Sequence, residues 1–240
     1  MLNRTVIAHR GASAYAPENT LEAFTQAYLM GARWLEFDVM LAACGTPVVF
    51  HDDLLARTTG QLGCVGDFSY PVLATYEAGA WFSPFAAGAR IPSLEMVLHF
   101  IKETGLSANI EIKPLPLQAA ATVKAALAVV QKVFPKGHDT LLFSSFCMAS
   151  LRHLRAALPQ GLLGLLMHDV LPDWESLVSE LNPWTIHLNK DILTPDFALQ
   201  IKRMKKGLWC YTVNDRASAE RYFDWGVDAV FSDYPDLLSR

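Results

Sequence analysis

Short runs of apolar, often β-branched residues recur along this chain with helical patterns between them. The runs are Val6–Ala8, Trp34–Val39, Val48–Phe50, Ala108–Ile112, Leu141–Ser144, Leu162–Met167, Thr185–Leu188, Leu208–Val213 and Asp228–Phe231. Strands that alternate with helices build a parallel sheet with the helices on its outside. Repeated this often within 240 residues, close to the ~250 residues of a typical α/β barrel, the pattern predicts an α/β protein of one domain, folded as a TIM-type (β/α)8 barrel. The runs number nine, one more than the barrel needs. Either the last is a short accessory segment, or the second and third are joined by a tight connection around Gly45.

Helices are expected over Leu94–Glu103, Gln118–Phe134, Ala149–Leu158, Trp174–Leu181, Pro195–Met204 and Ala217–Trp225. The first helix starts near Asn19, which can cap it, with Glu22 three residues on as in a capping box and Leu21, Phe24 and Tyr28 marking the apolar face; Thr20 reads as helix-start chemistry, and Glu18 and Asn19 are also placed to steady a site. Residues 53–92 break the alternation: they hold Gly60, Gly63, Gly66 and several aromatics, from Phe68 and Tyr70 to Trp81 and Phe85, with little periodicity. Loops this long in a compact domain are usually lids or binding inserts. A small insertion after the His51 strand is therefore expected above the barrel mouth, its aromatics forming a core of their own and in part lining the substrate path.

Four of the strand runs carry ionisable residues where a buried strand should carry apolar ones: Ile7-Ala8-His9-Arg10, Glu36-Phe37-Asp38-Val39, Val48-Val49-Phe50-His51 and Ile110-Glu111-Ile112-Lys113. Side chains alternate faces along a strand, so Glu36 and Asp38 share a face, as do Glu111 and Lys113, with Phe37, Ile110 and Ile112 opposite. Unpaired buried carboxylates are expensive, and three of them beside two histidines and two cations call for a compensating partner such as a metal ion. All seven residues fall at or near the carboxyl ends of strands, where barrels of this kind place their working groups. Three carboxylates without a Cys or His ligand pattern favour a hard divalent cation, Mg²⁺ or Ca²⁺. His9 and His51 suit acid–base work near pH 7, Arg10 offers a planar fork for phosphate and Lys113 a point charge. The set is equipped for phosphoester cleavage. The competing reading is a metal-free ion-pair cluster of Glu36 and Asp38 with Arg10 and Lys113. His99, His138, His153, His168 and His187 read as core histidines, and Trp34, Trp174, Trp184 and Trp225 as packing residues.

Composition narrows the partners. The net charge of -4 and scattered cations give no footprint for nucleic acid, and the group Lys202-Arg203, Lys205-Lys206 reads as a solvated helix end. Hydrophobic residues make up 52% of the chain, yet no run of about 18 apolar residues exists, so stable membrane insertion is not expected. Cys44, Cys64, Cys147 and Cys210 lack paired spacing and read as reduced thiols. With the first strand beginning at Val6 there is no room for a signal segment, and a cytoplasmic location is expected.

Read together, these residues resemble the glycerophosphodiester phosphodiesterases. The matching segments are Ala8-His9-Arg10-Gly11, Ala16-Pro17-Glu18-Asn19-Thr20, Glu36-Phe37-Asp38-Val39, Val49-Phe50-His51-Asp52, Arg57-Thr58-Thr59, Ala78-Gly79-Ala80-Trp81-Phe82, Ile91-Pro92-Ser93-Leu94, Asn109-Ile110-Glu111-Ile112-Lys113, Thr212-Val213-Asn214 and Gly226-Val227-Asp228, in family order over nearly the whole chain. The resemblance implies hydrolysis of a small glycerophosphodiester to sn-glycerol 3-phosphate and an alcohol, with one divalent cation, Mg²⁺ or Ca²⁺, on Glu36, Asp38 and Glu111. It makes His9 and His51 the acid–base pair and Arg10 and Lys113 holders of phosphate or glycerol oxygens. Water could attack phosphorus directly, or the glycerol hydroxyl beside the ester could attack first to give a cyclic phosphate that water opens. Two positions depart from the pattern: Cys44 where the family often has Asp, and Tyr211 where it often has Trp, the latter placed to reshape the substrate pocket.

Overall fold

The computed structural model describes residues 2–137 and 139–239, so His138 lies outside the described residues. Its strands are β1 (Thr5–His9), β2 (Trp34–Leu41), β3 (Pro47–Val49), β4 (Ser107–Ile112), β5 (Leu141–Ser145), β6 (Leu162–Met167), β7 (Thr185–Asn189), β8 (Gly207–Tyr211) and β9 (Ala229–Ser232). They run in the order β1-β9-β8-β7-β6-β5-β4-β2-β3, and β1 also pairs with β2. The β1–β2 and β1–β9 pairings are parallel, as are the others except β2–β3, so eight strands close into a parallel barrel. The surplus run is β3, which folds back antiparallel on the end of β2 through a tight turn at Gly45; the last run is a full barrel strand.

Pleat parity separates two cores. Every residue of β2 is buried, but Leu35, Phe37 and Val39 face the surrounding helices with Phe24, Leu98 and Ile101, whereas Trp34 points into the barrel with Ile7, Leu142, Trp209 and Phe231. Trp209 meets Trp34 and Trp184 edge-on at centroid distances of 5.6 and 6.0 Å, filling the barrel floor. The ring of His187 stacks on Trp209 at 4.7 Å, and a side chain at Gly164 would come within 2.6 Å of that imidazole. The absent side chain is what admits a histidine to the interior. Trp174 and Trp225 pack outside, against Phe197 and Tyr222 respectively.

The helices follow the strands closely. They are α1 (Leu21–Leu29), the short α2 (Ala56–Thr59) and α3 (Tyr70–Leu73), then α4 (Leu94–Thr104), α5 (Ala119–Val133), α6 (Met148–Ala157), α7 (Trp174–Leu181), α8 (Pro195–Arg203) and α9 (Arg216–Asp224). Helix α4 shows why: Ser93 caps it through Met96 N–H, Gly105 ends it in the left-handed region, and Leu94, Val97, Leu98 and Ile101 bury one stripe. Residues 53–92 contain α2 and α3 and little other regular structure. Leu55, Val65 and Leu73 form a small core there with Met40 and Phe50, and Phe68, Tyr70 and Tyr76 pack on it. At the far end of the fold Lys202 pairs with Asp228 at 2.8 Å, so this cation of the basic group is held rather than freely solvated. No helix among the described residues is long and apolar enough to cross a membrane.

Candidate active site

Parallel register sets the heights of the polar groups. His9 pairs with Glu36 across β1 and β2, and Asp38 with Glu111 across β2 and β4. Glu36, Asp38 and Glu111 are all buried, and one oxygen from each lies within 4.8 Å of the others. They line a cavity of about 280 Å³ together with His9, Arg10, His51, Asn109, Phe146, Leu166, His168, Tyr211, Thr212 and Phe231. Arg10 follows β1 in the left-handed region, and Gly11 continues that turn at φ +84, where a Cβ would collide with Ala23 of α1 at 2.7 Å. This turn presents the Arg10 N–H to Glu36 Oε2 at 3.0 Å.

Each histidine has its Nδ1 taken by a carboxylate, His9 by Asp233 at 2.7 Å and His51 by Asp52 at 2.5 Å. A ring so oriented keeps Nε2 for other work. Asp233 is itself held by the Ser13 hydroxyl and the Asn214 amide, and Asp52 by the Arg57 guanidinium. Burial would raise both carboxylates, but the hydrogen bonds they accept bring each down to about 2.

The acidic cluster is electrostatically divided. Burial, then the charges of Asp38 and Glu111, hold Glu36 well above the carboxylate range, and burial with Asp38 pushes Glu111 up to about 8. For Asp38 burial acts in the same sense but is outweighed by Arg10, His51, Lys113 and the Asn19 amide, which keep it low. Three mutually repelling oxygens at one buried spot fit a divalent cation, and an all-oxygen donor set suits a hard one. Asn109 Oδ1 adds a buried oxygen on the same cavity with no hydrogen-bond partner. Such a cluster could hold a metal ion.

Some placements differ from expectation. Asn19 does not cap α1: it adopts φ +57 and sends its amide to Asp38 Oδ2 at 2.9 Å, while the cap is Thr20, whose hydroxyl accepts from Ala23 N–H. Lys113 follows the last residue of β4 with its N–H still donating to the Val39 carbonyl at 2.9 Å; it lines a groove with His51, Asp52 and Arg57, and its charge acts on Asp38, Glu111 and His51. The aromatic wall of the cavity comes from Phe146, Tyr211 and Phe231 rather than from the insertion. Tyr211 is in the wall as anticipated, its hydroxyl donating to the Met167 carbonyl at 2.8 Å. Of the remaining described histidines only His187 is in the core; His99 and His153 are exposed on helices, and His168 is exposed at the cavity wall. Asp233 went unnoticed in the sequence, whereas Glu18 and Asn19 steady site residues as the sequence suggested. A carboxylate just past a barrel strand was the available signal for Asp233.

Comparison with known proteins agrees with this geometry. The model of the glycerophosphoryl diester phosphodiesterase family matches residues 9–237. A glycerophosphodiester phosphodiesterase from Caldanaerobacter subterraneus is 33% identical, over 97% of this chain and 95% of its own. One from Bacillus subtilis is 31% identical, over 98% of this chain and 85% of its own. Among solved structures, an Oleispira antarctica phosphodiesterase in complex with its product sn-glycerol-3-phosphate superposes with a TM-score of 0.94 at 33% identity, covering 98% of this chain and 95% of that one. With its barrel, its cluster of carboxylates and histidines and these matches along nearly its full length, the chain belongs to the glycerophosphoryl diester phosphodiesterase family.

Proposed function

We propose that this glycerophosphodiester phosphodiesterase cleaves a small glycerophosphodiester to sn-glycerol 3-phosphate and an alcohol, with His9 and His51 as its acid–base pair. The observation that carries the reading is the pair of imidazoles on one cavity, each with Nδ1 engaged by its own carboxylate and Nε2 left for proton transfer. His51 sits below its usual range because of burial, with Arg10 and Lys113 adding to the effect against the pull of Asp38 and Asp52. A neutral imidazole accepts a proton, so His51 takes it from the attacking oxygen. His9, whose Nε2 lies 4.0 Å from Glu36 and whose Nδ1 is on Asp233, returns one to the leaving alkoxide. Arg10 turns its guanidinium into the cavity from between Glu18 and Asp38 and holds the phosphoryl oxygens; its Nε is buried without a hydrogen-bond partner.

Glu36, Asp38 and Glu111 would hold one divalent cation, Mg²⁺ or Ca²⁺, which when bound supplies positive charge against the phosphoryl oxygens. Lys113, from its neighbouring groove, adds charge at longer range, and Tyr211 shapes the wall met by the glycerol or the departing alcohol. A cavity of about 280 Å³ matches a glycerophosphate in size. That favours a glycerophosphodiester over a larger lipid.

The test is release of glycerol 3-phosphate from glycerophosphocholine and glycerophosphoethanolamine, with Mg²⁺, with Ca²⁺ and with chelator. Release from both with either cation and none with chelator is the expected result; no release from folded protein under any condition would overturn the reading. His9→Ala and His51→Ala should each lower kcat by about 10²–10⁴-fold with unchanged circular dichroism. Loss of the folded signal in both variants would make those residues structural.

A further inference from the structure

Arg57 is not in the cavity, yet its guanidinium hydrogen bonds end on the supports of two residues that are. It stands on α2, inside the insertion, and its guanidinium makes two bidentate pairs. Nε and Nη2 donate to the two oxygens of Asp52 at 2.5 and 3.1 Å, and Nη1 and Nη2 to the two oxygens of Glu18 at 2.8 and 2.7 Å. Asp52 holds His51 Nδ1, and Glu18 Oε1 also accepts from Arg10 Nη1 at 2.9 Å. A continuous chain of charge-assisted bonds thus runs from His51 to Arg10 through one guanidinium. Over its face lies Trp81, 5.7 Å from Cζ to the ring centroid and itself anchored to the Ala78 carbonyl.

The network differs from an ordinary surface salt bridge, which contributes little. Glu18 is largely buried and Asp52 partly so, both pairs are bidentate, and each acceptor is shared with a second donor that faces the cavity. A planar fork can satisfy two carboxylates at once; an ammonium at the same place has neither the geometry nor enough donors in one plane. Removing Arg57 would leave two carboxylates against the single cation Arg10 and free both to rotate. His51 would lose the partner that fixes its tautomer, and Arg10 the partner that aims it.

We infer that Arg57 is the positioning residue of this site: its fork ties the insertion's α2 to the turns after β1 and β3 and, through Asp52 and Glu18, fixes His51 and Arg10 relative to each other. The inference rests on the roles proposed above for those two residues. Acting at one remove, Arg57 touches no reacting atom.

Two substitutions and two readouts test it. Supporting groups of this kind typically contribute 10–100-fold, so Arg57→Ala should lower kcat/KM for glycerophosphocholine by about that factor. Guanidinium ion added to Arg57→Ala should restore at least a tenfold part of the loss, about the lower bound of that range. Arg57→Lys, which keeps the charge and loses the fork, should stay within about threefold of Arg57→Ala and gain nothing from guanidinium. The second readout uses no substrate: ¹⁵N spectra of the histidine-labelled full chain should show His51 carrying its proton on Nδ1 in the parent and mixed tautomers in both variants. Wild-type activity in Arg57→Lys, or an unchanged His51 tautomer in the variants, would overturn the proposal. If Arg57→Ala does not fold, Arg57→Lys carries both measurements. Because the spectra require no turnover, a failure of the proposed reaction and a failure of this inference are separable.

Discussion

A histidine at the centre of a barrel titrates against the fold. His187 is fully buried between Trp209 and Phe231, donates or accepts only at Nε2 with Thr185, and leaves Nδ1 without a partner. Burial pushes its imidazole down to about 3. Between that value and the ordinary ~6.5 the unfolded chain binds a proton that the native state refuses, so stability falls as pH falls through this window. The effect is on the order of a few kcal/mol. In His187→Leu the unfolding free energy, followed by urea denaturation, should therefore lose less than the parent's as pH drops from 7 to 5. Parallel curves for the two proteins would show that His187 keeps its proton in the fold. At this scale the sequence was informative for residues whose chemistry is local: His9 and His51 stand at strand ends, and their type marks them. Asp233 was not legible, since its partner His9 is 224 positions away and only barrel closure joins them. Asn19 and Thr20 are both good caps, and nothing local says which one the backbone turns toward Asp38.

Elements make the carboxylate cluster. Pleat parity puts Glu36 and Asp38 on one face, and the β2–β4 register adds Glu111 beside Asp38. The parity was readable from the sequence; the register was not, because it depends on where the strands enter the barrel. Lys113 lies one residue past the strand, with its N–H still on the Val39 carbonyl and its charge acting on Asp38 and Glu111. The cluster has a thermodynamic signature of its own. Glu111 is raised to about 8 by burial and Asp38, so in the metal-free protein the native state binds a proton that the unfolded chain gives up near pH ~4.5. Stability from this group is present below the unfolded value and is lost as pH rises toward 8. A divalent cation held by these carboxylates would replace that proton. Binding should release protons and strengthen with pH, and the rise in Tm on adding Mg²⁺ or Ca²⁺ should be larger at pH 8 than at pH 5.5. Glu111→Gln should flatten the metal-free dependence and reduce the metal-induced rise. Equal rises in Tm at both pH values would remove the carboxylates from the binding site.

Across the whole molecule the cavity is divided between the two halves of the barrel. The first half, β1 to β4, supplies His9, Arg10, Glu36, Asp38, His51, Asn109 and Glu111; the second supplies Phe146, Leu166, Tyr211, Thr212 and Phe231 as a mostly apolar wall, with His168 at its exposed edge. The alternation of strands and helices was sufficient to foresee the barrel, but not this division, because the aromatics of residues 53–92 looked like a nearer source for the wall. Phe68, Tyr70 and Tyr76 instead close over the insertion's own core, and the wall comes from Leu166 of β6, Tyr211 of β8, Phe231 of β9 and the residues just after β5 and β8. The apolar part of that wall should bind substrate and transition state alike, and loss of such uniform binding raises KM with little change in kcat. Phe146, packed edge-on against Tyr211 at 5.8 Å and 42% exposed, is the cleanest probe. A part-exposed ring contributes about 1 kcal/mol to binding, so Phe146→Ala should raise KM for glycerophosphocholine roughly fivefold and leave kcat within about twofold. Tyr211→Phe keeps the ring and removes only its bond to the Met167 carbonyl; it should cost about 1 kcal/mol of stability with KM unchanged. If Phe146→Ala instead lowered kcat at constant KM, the wall would be acting on the transition state, and the division of labour between the two halves would not hold.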